Sequence, residues 1–486
     1  MSTSRQIRSL PETVTSPRIL TVREMPADLE TPVSAFLKLQ AHGAKLLLES
    51  VEGGTVLGRY SFIGVSPRTR VELRQDAMHL HSSEGELRIA YEGTDPLKSL
   101  KELLGSFSIA SHGDRPPLLG GLVGYFSYDM VRKFERVDGE LPDPLDLPLG
   151  IFYLVDTLLV FDHVQHKLKI LTLSSPDSRS TAGETVERLM SIIRAPLETP
   201  APESSKQSTG KLVSNFTKER FCTAVEKTKE FIRAGDVYQL VLSQRLAGRT
   251  DADPFTIYRA LRMLNPSPYL FYLDLGQTKL IGSSPEALVR LKGDRATIRP
   301  IAGTRPRGDS DEADRDLAAE LLADEKERAE HVMLVDLGRN DLGRCCEYNS
   351  VTVDEFMKVE RYSHVMHLTS NVVGTLRKGL DQFDLFRAAF PAGTVSGAPK
   401  IRAMQLIDEL EQERRGPYAG AVGYFSLSGD MDWCIAIRTI VMKGKDYFLQ
   451  AGAGIVADSE PGREYQECMD KLAALKKAIQ NAEEGF

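Results

Sequence analysis

The sequence predicts an α+β protein of two lobes, with large antiparallel sheets flanked by helices. Three observations carry this. The chain has 486 residues, more than one hydrophobic core usually serves. Strand-like apolar runs crowd the region before Leu173. Farther on, helix and strand patterns do not alternate strictly, which argues against a doubly wound parallel sheet. Hydrophobic residues make up 42% and charged residues 27%, as in ordinary globular chains. A formal charge of -7 with no stripe of Lys and Arg argues against a nucleic-acid partner.

In chain order, residues 45–49, 60–65, 122–128, 151–155, 158–161 and 168–173 read as strands. The stretch 151–161 is interrupted by Asp156 and Thr157, so it reads as two buried strands and no membrane span. Val186, Leu189, Met190 and Ile193 then recur at i, i+3, i+4 and i+7, the signature of an amphipathic helix. Pro196, Pro200, Pro202, Ser204, Ser205, Ser208 and Gly210 mark a linker over 195–212, separating domains at 1–194 and 213–486. Beyond it come a helix over 221–234 ended by Gly235, a strand at 238–245, hairpin-like strands across 279–291 and a strand at 296–301. Helices follow at 313–335, 385–390 and 401–412. A closing helix carries Cys468, Leu472, Leu475 and Ile479 on one face. LVGYFS at 122–127 is echoed once, by AVGYFS at 421–426.

The five cysteines form no C-x-x-C pair, and an odd count in a long chain points to reduced thiols in a cytoplasm. Residues 1–20 lack the apolar core of a signal peptide.

The chemistry gathers in acidic pairs and glycine-rich turns. Glu327 and Glu330 stand three apart on one helix, as do Glu464 and Glu467 on another, so each pair shares a face. Such pairs are ordinary on solvated helices. Here Glu467 follows the side-chain-poor AGAGIV turn (451–456), where backbone can approach a ligand. Two hard carboxylate pairs facing one cavity suit a hydrated Mg²⁺ that also ligates a substrate carboxylate. His364 and His367 lie three apart on a strand-like run, so at most one lines any shared pocket. FPAGTVSGAPKIRAM (390–404) reads as loop then helix, with Ser396 as cap and Pro399 in the first turn: an anion site, without Walker A spacing. Arg305 and Arg307 flank the PIAGTRPRG turn, and Arg438 alternates into an apolar strand, where a buried guanidinium needs an anion. The residues by themselves reach a dianionic small molecule held by Mg²⁺, arginine and backbone amides.

IGSSPE, PIAGTRPRG, AEHVMLVDLGRNDLGR, RYSHVMHLTS, FPAGTVSGAPK, YAGAVGYF, CIAIRT, QAGAGIVADS and EYQECMDK occur in this order. Together they resemble the chorismate-utilising enzymes: anthranilate synthase component I, aminodeoxychorismate synthase component I, and the isochorismate and salicylate synthases. The likeness covers roughly 215–475. LLLESVEGG (46–54) and GRYSFIG (58–64) are similar to the anthranilate synthase type. The resemblance implies that fold, and Mg²⁺ on Glu330 and Glu467 with Glu327 and Glu464 in support. It implies His367 at the ring C2 proton and Glu286 as general acid for the departing 4-hydroxyl, a carboxyl kept protonated by burial. Thr394, Gly303, Thr304, Tyr418, Arg438, Gly452, Gly454 and Lys471 match positions that hold the carboxylates and enolpyruvyl group of chorismate.

Two positions divide that family. Water-using members carry a Lys base where Gln239 stands, and aminodeoxychorismate synthases read PIKGT where this chain has Ala302. Losing both lysines implies ammonia as nucleophile and anthranilate as product, with aminodeoxychorismate synthesis as the alternative. Glu49, Ser50, Pro268, Tyr269, Leu270, Val422 and Tyr424 resemble a tryptophan feedback pocket, Leu270 replacing the family's usual Met. No Cys, His and carboxylate set for glutamine hydrolysis is visible, so the resemblance implies a separate glutamine amidotransferase subunit as ammonia donor.

Overall fold

Burial on both faces of single strands decides the layering. In GLVGYF, Leu122 and Phe126 join one core while Val123 and Tyr125 join another. The computed structural model describes residues 18–50, 58–91, 95–107, 109, 115–137, 139–198, 212–362 and 365–486. Most of the expected linker, and His364, lie outside the described residues.

The first half of the chain supplies β1 (Ile19–Pro26), β2 (Ala44–Glu49), β3 (Tyr60–Val65), β4 (Thr69–Leu73) and β5 (Ala77–Ser82). It continues with β6 (Gly85–Ala90), β7 (Gly121–Phe126), β8 (Gly150–Val155), β9 (Thr157–Asp162) and β10 (Lys167–Ser174). The second half supplies β11 (Val213–Ser214), β12 (Gln239–Arg249), β13 (Tyr269–Asp274), β14 (Thr278–Ser284), β15 (Ala287–Lys292) and β16 (Arg295–Ile298). Then come β17 (Ile301–Pro306), β18 (Thr352–Arg361), β19 (Val365–Thr375) and β20 (Gly397–Ala398). The last are β21 (Ala421–Ser426), β22 (Met431–Ile435), β23 (Thr439–Lys443) and β24 (Asp446–Ile455).

They form two twelve-stranded sheets. One runs β1-β10-β9-β3-β2-β13-β14-β23-β24-β12-β11, with β20 on β12; the other runs β17-β19-β16-β15-β22-β21-β7-β8-β4-β5-β6, with β18 on β19. Ladders in both are antiparallel, as expected. Among the described residues the helices are α1 (Pro32–Gln40), α2 (Pro96–Gly105), α3 (Arg179–Arg194), α4 (Lys218–Arg233), α5 (Pro254–Leu264) and α6 (Asp311–Ala323). They continue as α7 (Glu325–Gly343), α8 (Gln382–Ala389), α9 (Lys400–Glu411), α10 (Pro461–Lys471) and α11 (Ala473–Glu483).

One core fills the space between the sheets, where Leu46, Phe62 and Phe271 meet Tyr125, Val422 and Tyr424. A second lies outside the first sheet, under α1, α3, α5 and α11. A third lies outside the other sheet, under α2 and α8. The result is a helix, sheet, sheet, helix sandwich. Each sheet takes strands from both sides of the 195–212 stretch, so sequence halves and structural layers do not coincide.

The chain passes from one sheet to the other at six described connections. Four are short: β3 to β4, β8 to β9 at Asp156, β14 to β15 at Pro285 and Glu286, and β22 to β23 through residues 436–438; two longer ones lead into and out of β20. The hairpin expected across 279–291 is therefore corrected. β14 pairs with β13 and β23, and β15 with β16 and β22. Apolar alternation marks a strand but does not name its partner.

Other boundaries also move. The helix expected at 313–335 is two helices, because the Asp324 carboxylate accepts from the Lys326 and Glu327 N–H groups and starts a new one. The closing helix divides at Leu472. The strand at 296–301 divides at Pro300, and that at 122–128 stops at Phe126, where Ser127 caps a 3-10 turn. The repeated hexapeptide gains a meaning: β7 and β21 are partners at the centre of their sheet, with Gly124 opposite Gly423.

Candidate active site

His367 stands on β19 between Thr304 of β17 and Glu360 of β18. Gly303 breaks the β17 ladder at a bulge, with φ 67, a conformation glycine adopts without strain. Its carbonyl accepts a hydrogen bond from His367 Nδ1 at 2.9 Å, and Thr304 Oγ1 lies 3.1 Å from the same nitrogen. A carbonyl can only accept, so Nδ1 carries the hydrogen and Nε2 keeps a lone pair. Burial, with the Arg438 charge, holds the imidazole pKa below its ordinary value, while the Gly303 bond and Glu360 oppose this. A neutral, oriented base results.

His367 lines a cavity of about 250 Å³ together with Tyr362, Asn265, Pro268, Arg438 and Lys471. Arg438 departs from expectation. It sits in the β22 to β23 crossing with φ 48, and Nη1 donates to Asn265 Oδ1 at 3.3 Å. Lys471, at the end of α10, donates to Gly452 O at 2.9 Å and pairs with Glu467 at 2.6 Å. Gly452 lies opposite Ser243 on β12; a Cβ there would stand 2.8 Å from the hydroxyl of buried Tyr418. Gly454 lies opposite Val241, against the Gln239 carboxamide.

Glu286 and Thr394 line a small neighbouring cleft. Burial pushes the Glu286 carboxyl up to about 7, offset in part by the Thr394 hydroxyl and the charges of Lys471 and Arg438. The Thr394 hydroxyl is buried without a well-formed hydrogen bond. Glu286 remains partly exposed as a residue.

The glutamate pairs occupy the starts of α7 and α10. Gln239 Nε2 donates to Glu330 Oε1 at 3.3 Å, and Lys326, one turn before Glu330, approaches Asp458 at 3.6 Å, just ahead of α10. Glu327 is raised by burial and by the Glu330 charge, and Glu464 by burial and by Glu467. Repelling, half-enclosed carboxylates are the donor chemistry of a hard divalent cation, so the residues fit Mg²⁺. Among the described residues, no three such groups are already gathered at metal-binding distance. Arg305 reaches Glu327 at 3.6 Å, and Lys471 holds Glu467.

All seven residues expected at an effector pocket, Glu49, Ser50, Pro268, Tyr269, Leu270, Val422 and Tyr424, line one cavity of about 430 Å³ between the sheets. Glu49 is buried and accepts from Tyr258 OH and from Arg262 at 3.1 and 3.3 Å. Ser50 Oγ is buried without a partner. Opposite, Arg290 and Tyr269 OH donate to Asp432 at 2.9 and 3.0 Å.

Several expectations are corrected. PIAGTRPRG is mostly strand β17, and its arginines are paired with protein carboxylates: Arg305 with Glu320, Asp324 and Glu327, Arg307 with Asp314. Ser396 does not cap α9; its hydroxyl donates back to Ala392 O at 2.8 Å, and Pro399 is the capping residue. Tyr362, Glu360, Asn265, Arg262, Arg290 and Asp432 escaped notice, although Tyr362 sits inside RYSHVMHLTS and Glu360 immediately precedes it. Their roles depend on strand register and crossings, which residue type does not reveal.

The fold and the gathered residues define a class. Residues 43–477 match the family model described as chorismate binding enzyme, and the chain belongs to that family. It falls among the anthranilate synthase component I members. It is 49% identical to anthranilate synthase component 1 of Aquifex aeolicus, over 95% of this chain and 94% of that one. It is 46% identical to the protein of that name from Thermus thermophilus, over 95% and 97%. The crystal structure of anthranilate synthase component I from Streptococcus pneumoniae superposes with a TM-score of 0.77 at 36% identity, covering 93% of this chain and 99% of that one. The menaquinone-specific isochorismate synthase of Escherichia coli, at 21% identity and TM-score 0.71, shares the fold. No helix among the described residues is long and apolar enough to cross a membrane.

Proposed function

We propose that the chain aminates chorismate with ammonia and eliminates pyruvate to give anthranilate, the first committed step of tryptophan synthesis, in a Mg²⁺-dependent reaction in the cytoplasm. The observation that carries this is the pairing of a neutral His367, fixed through Nδ1, with a Glu286 carboxyl that burial keeps protonated near neutral pH. An acid and a base with pKa values moved toward neutrality are what the two steps need.

Ammonia adds at ring C2 while Glu286 protonates the departing 4-hydroxyl, which leaves as water and gives the aminated isochorismate. His367 then takes the C2 proton and pyruvate leaves, restoring the aromatic ring. Arg438, Lys471, Tyr418 and Thr304, with the backbone at Gly303, Gly452 and Gly454 and the Thr394 hydroxyl, bind and orient the substrate. Gln239 offers no base to activate water, and Ala302 removes the lysine of the aminodeoxychorismate synthases. Glu330 and Glu467, supported by Glu327 and Glu464, would hold Mg²⁺. When bound, the ion supplies positive charge that anchors a substrate carboxylate.

Ammonia comes from a glutamine amidotransferase partner, which agrees with the component 1 naming of the relatives. Cys468 and Cys434 suit no such role, since burial pushes Cys468 up to about 12 and raises Cys434. L-tryptophan binds the inter-sheet cavity as feedback inhibitor. Its ammonium would share Glu49 with Arg262 and meet the unpartnered Ser50 hydroxyl, with the indole between the apolar walls. Pro268 lines both cavities, which gives the two ligands a shared wall. Supplying chorismate, Mg²⁺ and ammonium and measuring anthranilate fluorescence tests the proposal; a chain that makes aminodeoxychorismate instead refutes it.

A further inference from the structure

Register places a carboxylate beside the imidazole. Thr304, His367 and Glu360 hold directly opposed positions on β17, β19 and β18. Opposed residues of an antiparallel ladder share a face, with Cβ atoms about 4.5–5.5 Å apart. A carboxylate free to turn there would pair with His367 and favour its charged form. Instead both Glu360 oxygens are engaged elsewhere. Arg299 donates to Oε1, and the Tyr362 hydroxyl donates to Oε2 at 2.9 Å. Tyr362 is in turn fixed through its backbone: its N–H donates to Val365 O at 2.8 Å, and its carbonyl accepts from Arg307 Nη1 at 2.6 Å. Its ring meets the imidazole edge to face, with centroids 5.6 Å apart at 61°, and both rings line the substrate cavity.

We propose that Tyr362 is a positioning residue for His367, tethering Glu360 through its hydroxyl and covering the imidazole with its ring, so that the histidine remains a neutral base. This rests on the reading of His367 as the group that takes the C2 proton. The other charged groups around the imidazole are Arg438, Asp470 and Lys471 on the cavity wall, Glu327 beside Gly303, and Arg299 on Glu360. Tyr362→Phe removes none of these charges. Of the carboxylates, Glu360 is the one whose charge already pulls the imidazole pKa upward, against burial and Arg438.

The test is a histidine titration by heteronuclear NMR on the full-length protein, with the His367 signal assigned from a His367→Gln variant. Tyr362→Phe keeps the ring and removes the tether. It should raise the His367 pKa by about one unit and move the acid limb of kcat/KM to higher pH by the same amount. Adding Glu360→Gln to that variant should bring the titration back to the wild-type position or below it. An unmoved titration in Tyr362→Phe, or a rise that persists once the Glu360 charge is gone, overturns the proposal. A titration that shifts as expected while the acid limb stays put supports the tether but removes His367 from the proton step, so the two readings fail separately.

Discussion

A carboxylic acid that must give up a proton near neutral pH has to be kept from ionising too early. Glu286 is kept so by burial, to about 7, against the opposing pull of Thr394, Lys471 and Arg438. Because its folded pKa lies above the unfolded one, its contribution to stability is present below about 4.5 and is lost as pH rises through about 7. Glu286→Gln should therefore gain stability on the wild type between those limits, by about 2–3 kcal/mol at pH 9, as read from denaturant unfolding at pH 5 and pH 9. The same change should cost about 10²–10⁴-fold in turnover and abolish the alkaline limb of kcat/KM near 7. A limb that survives unchanged removes Glu286 from the acid role. SSPE singles out Glu286 in the sequence, and motif order singles out His367, Lys471 and the four glutamates as candidates; of these the structure brings His367 and Lys471 to one cavity wall. The orientation of Arg305 and Arg307 was not legible. A guanidinium beside a glycine turn can face a ligand or a helix, and here Glu320, Asp324 and Asp314 claim both side chains.

The glutamate pairs work through the helices that carry them. Asp324 ends α6 and caps α7, which sets the rotation at which Glu327 and Glu330 emerge, and Lys326 approaches the turn before α10. Glu330→Ala or Glu467→Ala removes one hard oxygen donor without touching a core, so circular dichroism should be unchanged while Mg²⁺ binding by calorimetry and turnover are both lost. A variant with near-normal activity at low Mg²⁺ would clear that residue of the ligand role. Helix boundaries here were legible only in part. The 3.6-residue periodicity continues across Asp324 and across Leu472, so nothing in the apolar pattern announces either break, whereas the Asp324 cap does in hindsight. Strand existence was read only in part: β1, β4, β5, β6 and β18 went unread, and AGAGIV, expected as a turn, lies almost wholly in β24; partner choice was not legible at all. Pro285, which ends β14 and sends the chain to the other sheet, looks in sequence like an ordinary hairpin turn.

Across the whole molecule the two halves follow one plan. From the centre outward the first sheet reads β2, β3, β9, β10 and β1 on one side and β13, β14, β23, β24 and β12 on the other. The second reads β7, β8, β4, β5 and β6 against β21, β22, β15, β16 and β19. The LVGYFS and AVGYFS echo falls on the paired central strands β7 and β21, with Gly124 opposite Gly423, where a Cβ would collide with backbone of the outer neighbour, Ile151 O of β8 and Asp432 O of β22. The rest of the correspondence lies in topology, invisible to residue-by-residue comparison. The 430 Å³ cavity sits between the sheets, against β2 and β13 in one and β21 in the other, so a ligand there touches both layers. Ser50→Phe should fill it and give an active enzyme whose anthranilate production no longer falls when tryptophan is added. Wild-type inhibition in that variant would move the effector site elsewhere.

The division of labour between this chain and an ammonia donor is tested most directly by one assay on the purified chain with chorismate and Mg²⁺. Ammonium at alkaline pH, where free NH₃ is present, should yield anthranilate, and glutamine should yield none until the amidotransferase partner is added. Glutamine-dependent synthesis by the homogeneous chain, or no anthranilate from ammonium, would contradict it.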